Sequence, residues 1–407
     1  MTVKGLLKFL RDLDPAIVQT LKLSEMKGYR ICVDVAVLTY AAKSIFITRD
    51  CQKKDLIFQD VDYVGADQFL LTEILRDFSG ILNAGCCPVA VFDGPAPDLK
   101  TATKKDRSAK SEKRRYRIAE LRRIGKALLD PVNPFVMTQE DYIFLNSFKK
   151  GKLQIKTLED LRKRLLTEIK GLIVVTSQDY ARMKILFSAM GIACVTAISE
   201  AEQTCAQMAR HKHVMAAYTT DSDCLIYGCP IMISKMIFST NSMVATAPTV
   251  KCYQFVNCLK ITGLTHVQWI QFCIMNGTDF NPNIPGYGPT TNHKLLLQFG
   301  SIFGIMAARD NLKRHIEQTK WSTLKGIDRE LVQFDESYYN LDQVRVFLTL
   351  PCVYDETRLS PTVDIESFDR TIPGLKAIMG EKNWPAIEKY CRQMMGRLKD
   401  SALMLRH

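Results

Sequence analysis

In Val214-Met-Ala-Ala-Tyr-Thr-Thr-Asp221-Ser-Asp223 a short apolar and β-branched run meets two carboxylates with no polar spacer beyond threonine. Such a run, closed by turn-forming residues, predicts a buried strand. Acids set directly behind it stand at the strand's carboxyl end, where parallel α/β sheets place their ligands. The pattern occurs twice upstream, with Asp34 in Ile31-Cys-Val-Asp34-Val and Asp93 in Val89-Ala-Val-Phe-Asp93-Gly, which predict strands at Arg30 to Val35 and Pro88 to Phe92. Helical periodicity from Tyr63 to Gly80 separates those two. An amphipathic helix over Asp179 to Met190 and a short strand over Ile192 to Val195 precede the run at Val214. Strands alternating with helices predict an α/β fold with a parallel sheet, and one rim shared by Asp34, Asp93, Asp221 and Asp223.

Three further acids join the pattern. Glu200 and Glu202 lie in Ser199-Glu-Ala-Glu202, where Ser199 has the residue type and place to cap a helix starting at Glu200. Asp279 lies in Asn276-Gly-Thr-Asp279-Phe. These seven carboxylates belong to a basic chain of 407 residues with a formal net charge of +12. Burial makes charge costly, so acids gathered behind apolar strands imply hard cations between them.

The basic balance points to a polyanionic partner, because Lys and Arg gain affinity from counterion release along nucleic-acid phosphates. With 47% hydrophobic and 24% charged residues the chain reads as a soluble globular protein of one elaborate or two joined domains. No apolar run reaches the roughly 18 residues of a membrane span, and Lys4 and Lys8 interrupt the first ten residues, so neither a membrane association nor a signal peptide is expected. Thirteen Cys without a Cys-x-x-Cys predict buried thiols rather than a zinc ribbon or a disulfide framework. Six His leave little for a His-rich metal site, and His211 and His213 near Cys205 match no zinc spacing.

Behind Asp93 the composition changes. From Asp98 to Arg117 the chain is dense in Lys and Arg and free of Gly and Pro, which predicts one long polar helix outside the core. Lys100, Lys104, Arg107, Arg114 and Arg115 share a broad face along which a phosphate backbone could lie. The run Lys113-Arg-Arg-Tyr-Arg117 could also read as a nuclear signal, although its place beside Asp93 favours a phosphate role. The elements between Asp130 and Gly171 cannot be ordered from sequence. After Thr265 the chain reads as mostly helical, with helices at Trp269 to Met275 and Thr290 to Phe299 flanking Ile284-Pro-Gly286-Tyr-Gly288-Pro. A Gly-x-Gly turn beside a helix N-terminus suits the grip of one phosphate.

Val91-Phe-Asp-Gly with Lys100 and Arg107, Met190-Gly-Ile, Ser199-Glu-Ala-Glu202, Thr220-Asp-Ser-Asp-Cys-Leu225, and Phe272-Cys-Ile-Met-Asn-Gly-Thr-Asp279 followed by Pro285-Gly-Tyr-Gly-Pro289 together resemble the XPG-type structure-specific 5′ nuclease family, most closely its flap endonucleases. The resemblance runs from Lys4-Gly-Leu-Leu through Phe347-Leu-Thr-Leu-Pro351 to Ile378-Met-Gly-Glu-Lys382. It implies a PIN-like (5′-3′ exonuclease-type) parallel-sheet nuclease domain with a helical arch and a helix-two-turn-helix module. The implied organisation is a nuclease region at 1–98, a basic arch and insert at 99–170, a second nuclease region at 171–264, the helix-two-turn-helix module at 265–350 and a helical extension at 351–407. Asp34, Asp93, Glu200, Glu202, Asp221, Asp223 and Asp279 fall where the family keeps metal-binding acids. Lys100 and Arg107 match the arch's catalytic basic pair and Tyr40 an aromatic that stacks on a base. Gly286 and Gly288 match the turn that holds duplex DNA, often with potassium. The chain departs from the family at Thr2, usually Gly, and in a longer stretch between Asp93 and Glu200.

The activity so implied is magnesium-dependent endonuclease cleavage of 5′ flaps or related branched DNA in replication, repair or recombination. Two magnesium ions about 4 Å apart, with manganese as substitute, would serve both the attacking and the leaving oxygen. Asp93, Glu200, Glu202 and Asp221 are expected to bind metal directly, and Asp34, Asp223 and Asp279 directly or through water. Lys100 and Arg107, seven residues apart on one helix face, would stabilise the charge on the scissile phosphate. The alternatives are a relative acting on Holliday junctions, gaps or RNA, and a catalytically silent DNA-binding scaffold. A nuclear monomer is expected. A Gln-x-x-Leu-x-x-Phe-Phe-type tail is missing before His407, so a sliding clamp is not expected as partner.

Overall fold

The computed structural model describes residues 3–95, 101–133, 135–150, 155–239, 247–278, 281–316, 326, 331–339, 354, 359–379 and 384–405, without side chains for some helical positions, 101–107 among them. A seven-stranded sheet divides it. The strands are β1 (Gln19–Lys22), β2 (Arg30–Asp34), β3 (Cys87–Phe92), β4 (Ala193–Thr196), β5 (Ala216–Tyr218), β6 (Ile231–Ile237) and β7 (Thr249–Gln254). Their order is β1-β7-β6-β5-β2-β3-β4. β2 to β6 run parallel, and β7 is antiparallel to both β6 and β1. The central strands are apolar on both faces because helices cover both, and β3 is buried at all six positions. The order reverses about β2, which pairs with β3 on one side and β5 on the other. The carboxyl ends of those three strands therefore share one rim.

On one face lie α1 (Leu6–Leu13), α8 (Ala201–Arg210), α9 (Asp223–Ile226), α10 (Phe255–Thr262), α11 (His266–Asn276), α12 (Pro289–Phe299) and α13 (Ile302–Ile316). The other face packs α2 (Val35–Lys53), α3 (Tyr63–Asn83), α7 (Ser177–Met190), α14 (Ile365–Met379) and α15 (Trp384–Leu403). Phe368, Trp384 and Met394 enter the same core as Phe78 and Phe187, so the last two helices are built into the sheet's cover. The described cysteines are free thiols, all buried except Cys51 and Cys194. No helix among the described residues is long and apolar enough to cross a membrane.

A third core corrects the reading of the basic stretch. It does form one helix, α4 (Thr101–Leu128), but Ile118, Leu121 and Ile124 are buried against Ile47, Ile57, Leu161 and Leu165. The apolar stripe of its second half is hidden in sequence by the charges around it. The elements that could not be ordered are α5 (Gln139–Asn146) and α6 (Leu158–Lys170). Each opens on a capping box, Thr138 with Asp141 and Thr157 with Asp160.

Arg114 is likewise not part of a free phosphate-binding face. Glu168 of α6, buried, is ringed by Arg114 at 3.8 Å, Arg117 at 3.6 Å and Arg164 at 2.5 Å. The Arg117 and Arg164 guanidiniums lie over the Phe148 ring, at 5.3 and 4.4 Å. Gly171 leaves the space this requires, since a Cβ there would stand 1.6 Å from an Arg114 nitrogen. One carboxylate thus fastens the middle of α4 to α6. Removing it leaves three partly buried cations facing one another, so Glu168→Ala is expected to cost about 2 kcal/mol in urea unfolding, below the 3–5 of a fully buried pair because the arginines keep some water. Hydrogen exchange should rise first in α4; an unchanged unfolding midpoint would refute the clamp.

Candidate active site

The rim gathers six of the seven predicted acids. Asp34 ends β2 and caps α2, accepting from the Val37 N–H at 3.3 Å and from the Thr219 hydroxyl at 2.8 Å. Asp93, just beyond β3, accepts from the Tyr180 hydroxyl at 2.8 Å and from the Ala201 N–H at 2.9 Å. The predicted cap of α8 is thereby corrected. Ser199 stands one residue too early, Glu200 holds the cap position but its side chain does not cap the helix, and Asp93 satisfies the first turn from 108 residues away. Gly94 makes this approach possible: its N–H donates to the Ser199 carbonyl at 2.7 Å, and a Cβ there would lie 2.0 Å from the Ala197 carbonyl oxygen.

Asp221 and Asp223 form a tight turn after β5, in which the Asp223 N–H donates to the Asp221 carboxylate at 3.0 Å. The buried Asp223 carboxylate accepts from the Val3 N–H at 3.1 Å, so the N-terminal segment reaches the site despite Thr2. Glu202, one residue into α8, is buried, while Glu200, Asp93 and Asp221 are half-buried.

Electrostatics shows the six acids within reach of one another. Burial pushes the Asp34 carboxyl up to about 7, aided by the charges of Asp93 and Asp221 and opposed by the Thr219 hydrogen bond. Glu202 is driven well above the usual range by burial first, then by Glu200, Asp221, Asp34 and Asp223. The Tyr180 phenol is pushed up by burial and by Asp93, which keeps it a proton donor to that carboxylate. Among the described residues no three of these side chains close onto a single point tightly enough to hold an ion as they stand. Asp34, Asp93, Asp221 and Asp223 instead lean on backbone or hydroxyl donors. The donor set is nonetheless all carboxylate oxygen, the chemistry that magnesium and manganese select.

The other predicted residues are distributed as follows. Asp279 and Lys100 lie outside the described residues, and Arg107 lies in α4 without a described side chain. Tyr40 is 48% exposed on the second turn of α2. Gly286 takes the left-handed φ of +87° that only glycine adopts freely, in a turn closed by the Tyr287 N–H on the Ile284 carbonyl, and Gly288 caps α12. Nothing lies within 4 Å of where either Cβ would be, so this backbone is open.

Sequence reasoning missed Tyr180, Thr219 and the buried pair Lys43–Asp179, at 2.7 Å, which ties α2 to α7. Asp179 carried a signal, because Thr176 three residues earlier makes the capping box that opens α7. Tyr180 carried none. Its role depends on how α7 is rotated against β3.

A PIN-like nuclease fold with six carboxylates on its strand-end rim defines a phosphodiester-hydrolase class of protein. The family model for the XPG N-terminal domain matches residues 1–114, and that for the XPG I-region residues 191–279. Flap endonuclease 1 of Trypanosoma cruzi is 27% identical over 314 residues, 76% of this chain and 68% of that protein. Flap endonuclease 1 of Yarrowia lipolytica is 25% identical over 375 residues, 92% of this chain and 82% of its own length. Against Flap endonuclease 1 of Babesia bovis, 24% identical, the match spans 89% of this chain but only 47% of the relative. The catalytic core of Rad2 in complex with DNA substrate superposes with a TM-score of 0.62 at 19% identity, over 94% of this chain and 98% of its own. Human GEN1 in complex with Holliday junction DNA gives 0.57 at 15%, over 97% and 76%. The chain belongs to the XPG-type structure-specific nuclease family, whose members depend on divalent metal.

The raised acids set the pH response of the metal-free protein. At pH below about 3.8 both folded and unfolded chains hold the Asp34 proton and it contributes nothing; between 3.8 and about 7 only the folded chain keeps it, so stability falls as pH rises. Asp77, also buried and pushed up to about 7, acts in the same direction. In EDTA the thermal midpoint should drop between about pH 4 and about pH 7, and Asp34→Asn should flatten that drop. A midpoint rising over the same range would contradict the assignment.

Proposed function

We propose that this chain, a structure-specific DNA endonuclease by family, hydrolyses phosphodiester bonds at 5′ flaps or closely related branches, with magnesium as its metal, leaving a 5′-phosphate and a 3′-hydroxyl. The observation that carries this reading is the convergence of six carboxylates from four segments on one rim, close enough for their charges to raise the pKa of Asp34 and Glu202. Asp93, Glu200, Glu202 and Asp221 would hold metal directly, with Asp34, Asp223 and Asp279 binding directly or through water, two ions in all. Bound there, the metal would supply a hydroxide nucleophile at neutral pH and offset charge on the phosphate.

The chain's own groups do the positioning. Tyr180 and the α8 N-terminus fix the two Asp93 oxygens, and Thr219 turns Asp34 toward the rim. Lys100 and Arg107, the latter on α4, would steady the scissile phosphate, and Tyr40, exposed on α2, would offer a ring face to an unpaired base. The open backbone at Gly286 and Gly288 would hold a duplex phosphate, with potassium as counter-ion. A monomer working in the nucleus, in replication and repair, completes the reading.

A labelled double-flap DNA tests it. Wild type should cut near the branch in magnesium. Tyr180→Phe should lower the rate by about 10-fold, as loss of a group orienting a ligand does, and Asp221→Asn by more, with DNA affinity retained. Equal cleavage by wild type and Asp221→Asn would sink the assignment. Mapped products from a panel of flap, gap, junction and RNA substrates would decide among branch types.

A further inference from the structure

Away from the acids, a cleft of about 540 Å³ opens between α1 and the antiparallel end of the sheet, lined by Arg11, Thr20, Thr220, Ser234, Lys235 and Lys251 among others. Its charge follows from strand register. Thr20 on β1 faces Lys251 on β7, and Lys251 faces Lys235 on β6, so the three form one row across three strands. Two lysines directly opposite each other repel and weaken an antiparallel pair. An irregularity between Ile233 and Lys235 produces the arrangement. Ile233 and Met236 both face the core shared with α3, and the inserted Ser234 turns Lys235 to the opposite side, beside Lys251. The Ser234 hydroxyl donates to the Lys251 carbonyl at 3.1 Å and holds that register.

Arg11 overhangs the row from α1. Arg11, Lys235 and Lys251 are exposed, and none makes an ion pair with another described residue. The acids nearest along α1 are engaged elsewhere: Asp12 pairs with Lys8 at 3.2 Å, and Asp14 accepts from the Ala16 N–H at 2.8 Å. Three cations without an ion pair among the described residues, with the hydroxyls of Thr20 and Thr220 beside them, match the donors that contact phosphate in nucleic-acid complexes. The row also has a direction. It starts at the edge strand β1 and ends at Thr220, whose neighbour is Asp221, a span of roughly 14 Å over three strand spacings.

We propose that Arg11, Lys235 and Lys251 form a phosphate-binding track that holds a nucleic-acid backbone as it runs past the acid rim to the sheet edge. This deepens the nuclease reading and rests on it, yet it is read by binding alone. Fluorescence anisotropy of a branched DNA, in EDTA over a range of salt, is the assay. Against wild type, the triple variant Arg11→Gln, Lys235→Gln, Lys251→Gln should bind about 10-fold more weakly. The slope of log affinity against log salt should shrink by roughly 2 to 3, about 0.9 per lost phosphate contact. Lys163→Gln, which removes a surface charge already paired with Glu159 at 2.6 Å, is the control and should leave the slope as it is. An unchanged slope in the triple variant, or an equal fall in the control, overturns the track. Circular dichroism confirms folding, and the charge-conserving triple variant Arg11→Lys, Lys235→Arg, Lys251→Arg should keep the wild-type slope. Absence of cleavage by wild type would sink the nuclease reading while leaving this slope measurable.

Discussion

Crowding six carboxylates onto one partly buried rim is unfavourable, and much of the architecture around the site answers that repulsion. Asp34 sits at the N-terminus of α2 and Asp93 at that of α8, where unpaired backbone N–H groups and the positive end of the helix dipole meet them. Asp223 takes the N–H of Val3 from a different part of the chain. None of these donors removes a charge; each makes one carboxylate tolerable at a fixed angle. The residual strain appears as the raised pKa of Asp34 and Glu202, both buried and both facing like-charged neighbours.

Asp93 does more of this than the others. Its two oxygens join β3, α7 and α8, so one side chain sets the height of Glu200 and Glu202 above the sheet. Gly94 is the steric condition for that contact. A site assembled in this way is sensitive to α7 even though α7 contributes no acid, and the buried Lys43–Asp179 pair fixes α7 against α2, which Asp34 caps. The acids are therefore coupled mechanically as well as electrostatically.

The acids, the parallel strands and the rim they share were legible because they rest on local pattern: apolar runs of strand length, each closed by a carboxylate. The long helix α4 was legible from the stretch without Gly or Pro that precedes Gly125, but not its packing. Ile118, Leu121 and Ile124 form a stripe only if the charges beside them are read as flanks, and nothing local shows that Glu168 waits 50 residues on to collect Arg114 and Arg117. The cap of α8 was misplaced for a similar reason. Ser199 is the better local cap, and a carboxylate from a distant strand displaced it. Pattern locates elements and lists chemistry; which side chain meets which is decided by register and rotation, and both are long-range properties.

Charge is sorted in space as well as in sequence. The chain's net positive charge coexists with a rim that on its own would repel a phosphate backbone. Beside that rim, along the sheet, runs the row of Lys235 and Lys251 with Arg11. Surface cations act over about 8–10 Å at physiological salt, so they can hold a polyanion beside the rim but do not by themselves bring it into contact with six bare carboxylates. Close approach requires neutralisation at the rim itself. Divalent metal and substrate should thus enter as linked ligands, each raising the other's affinity, because each relieves the repulsion that opposes the other.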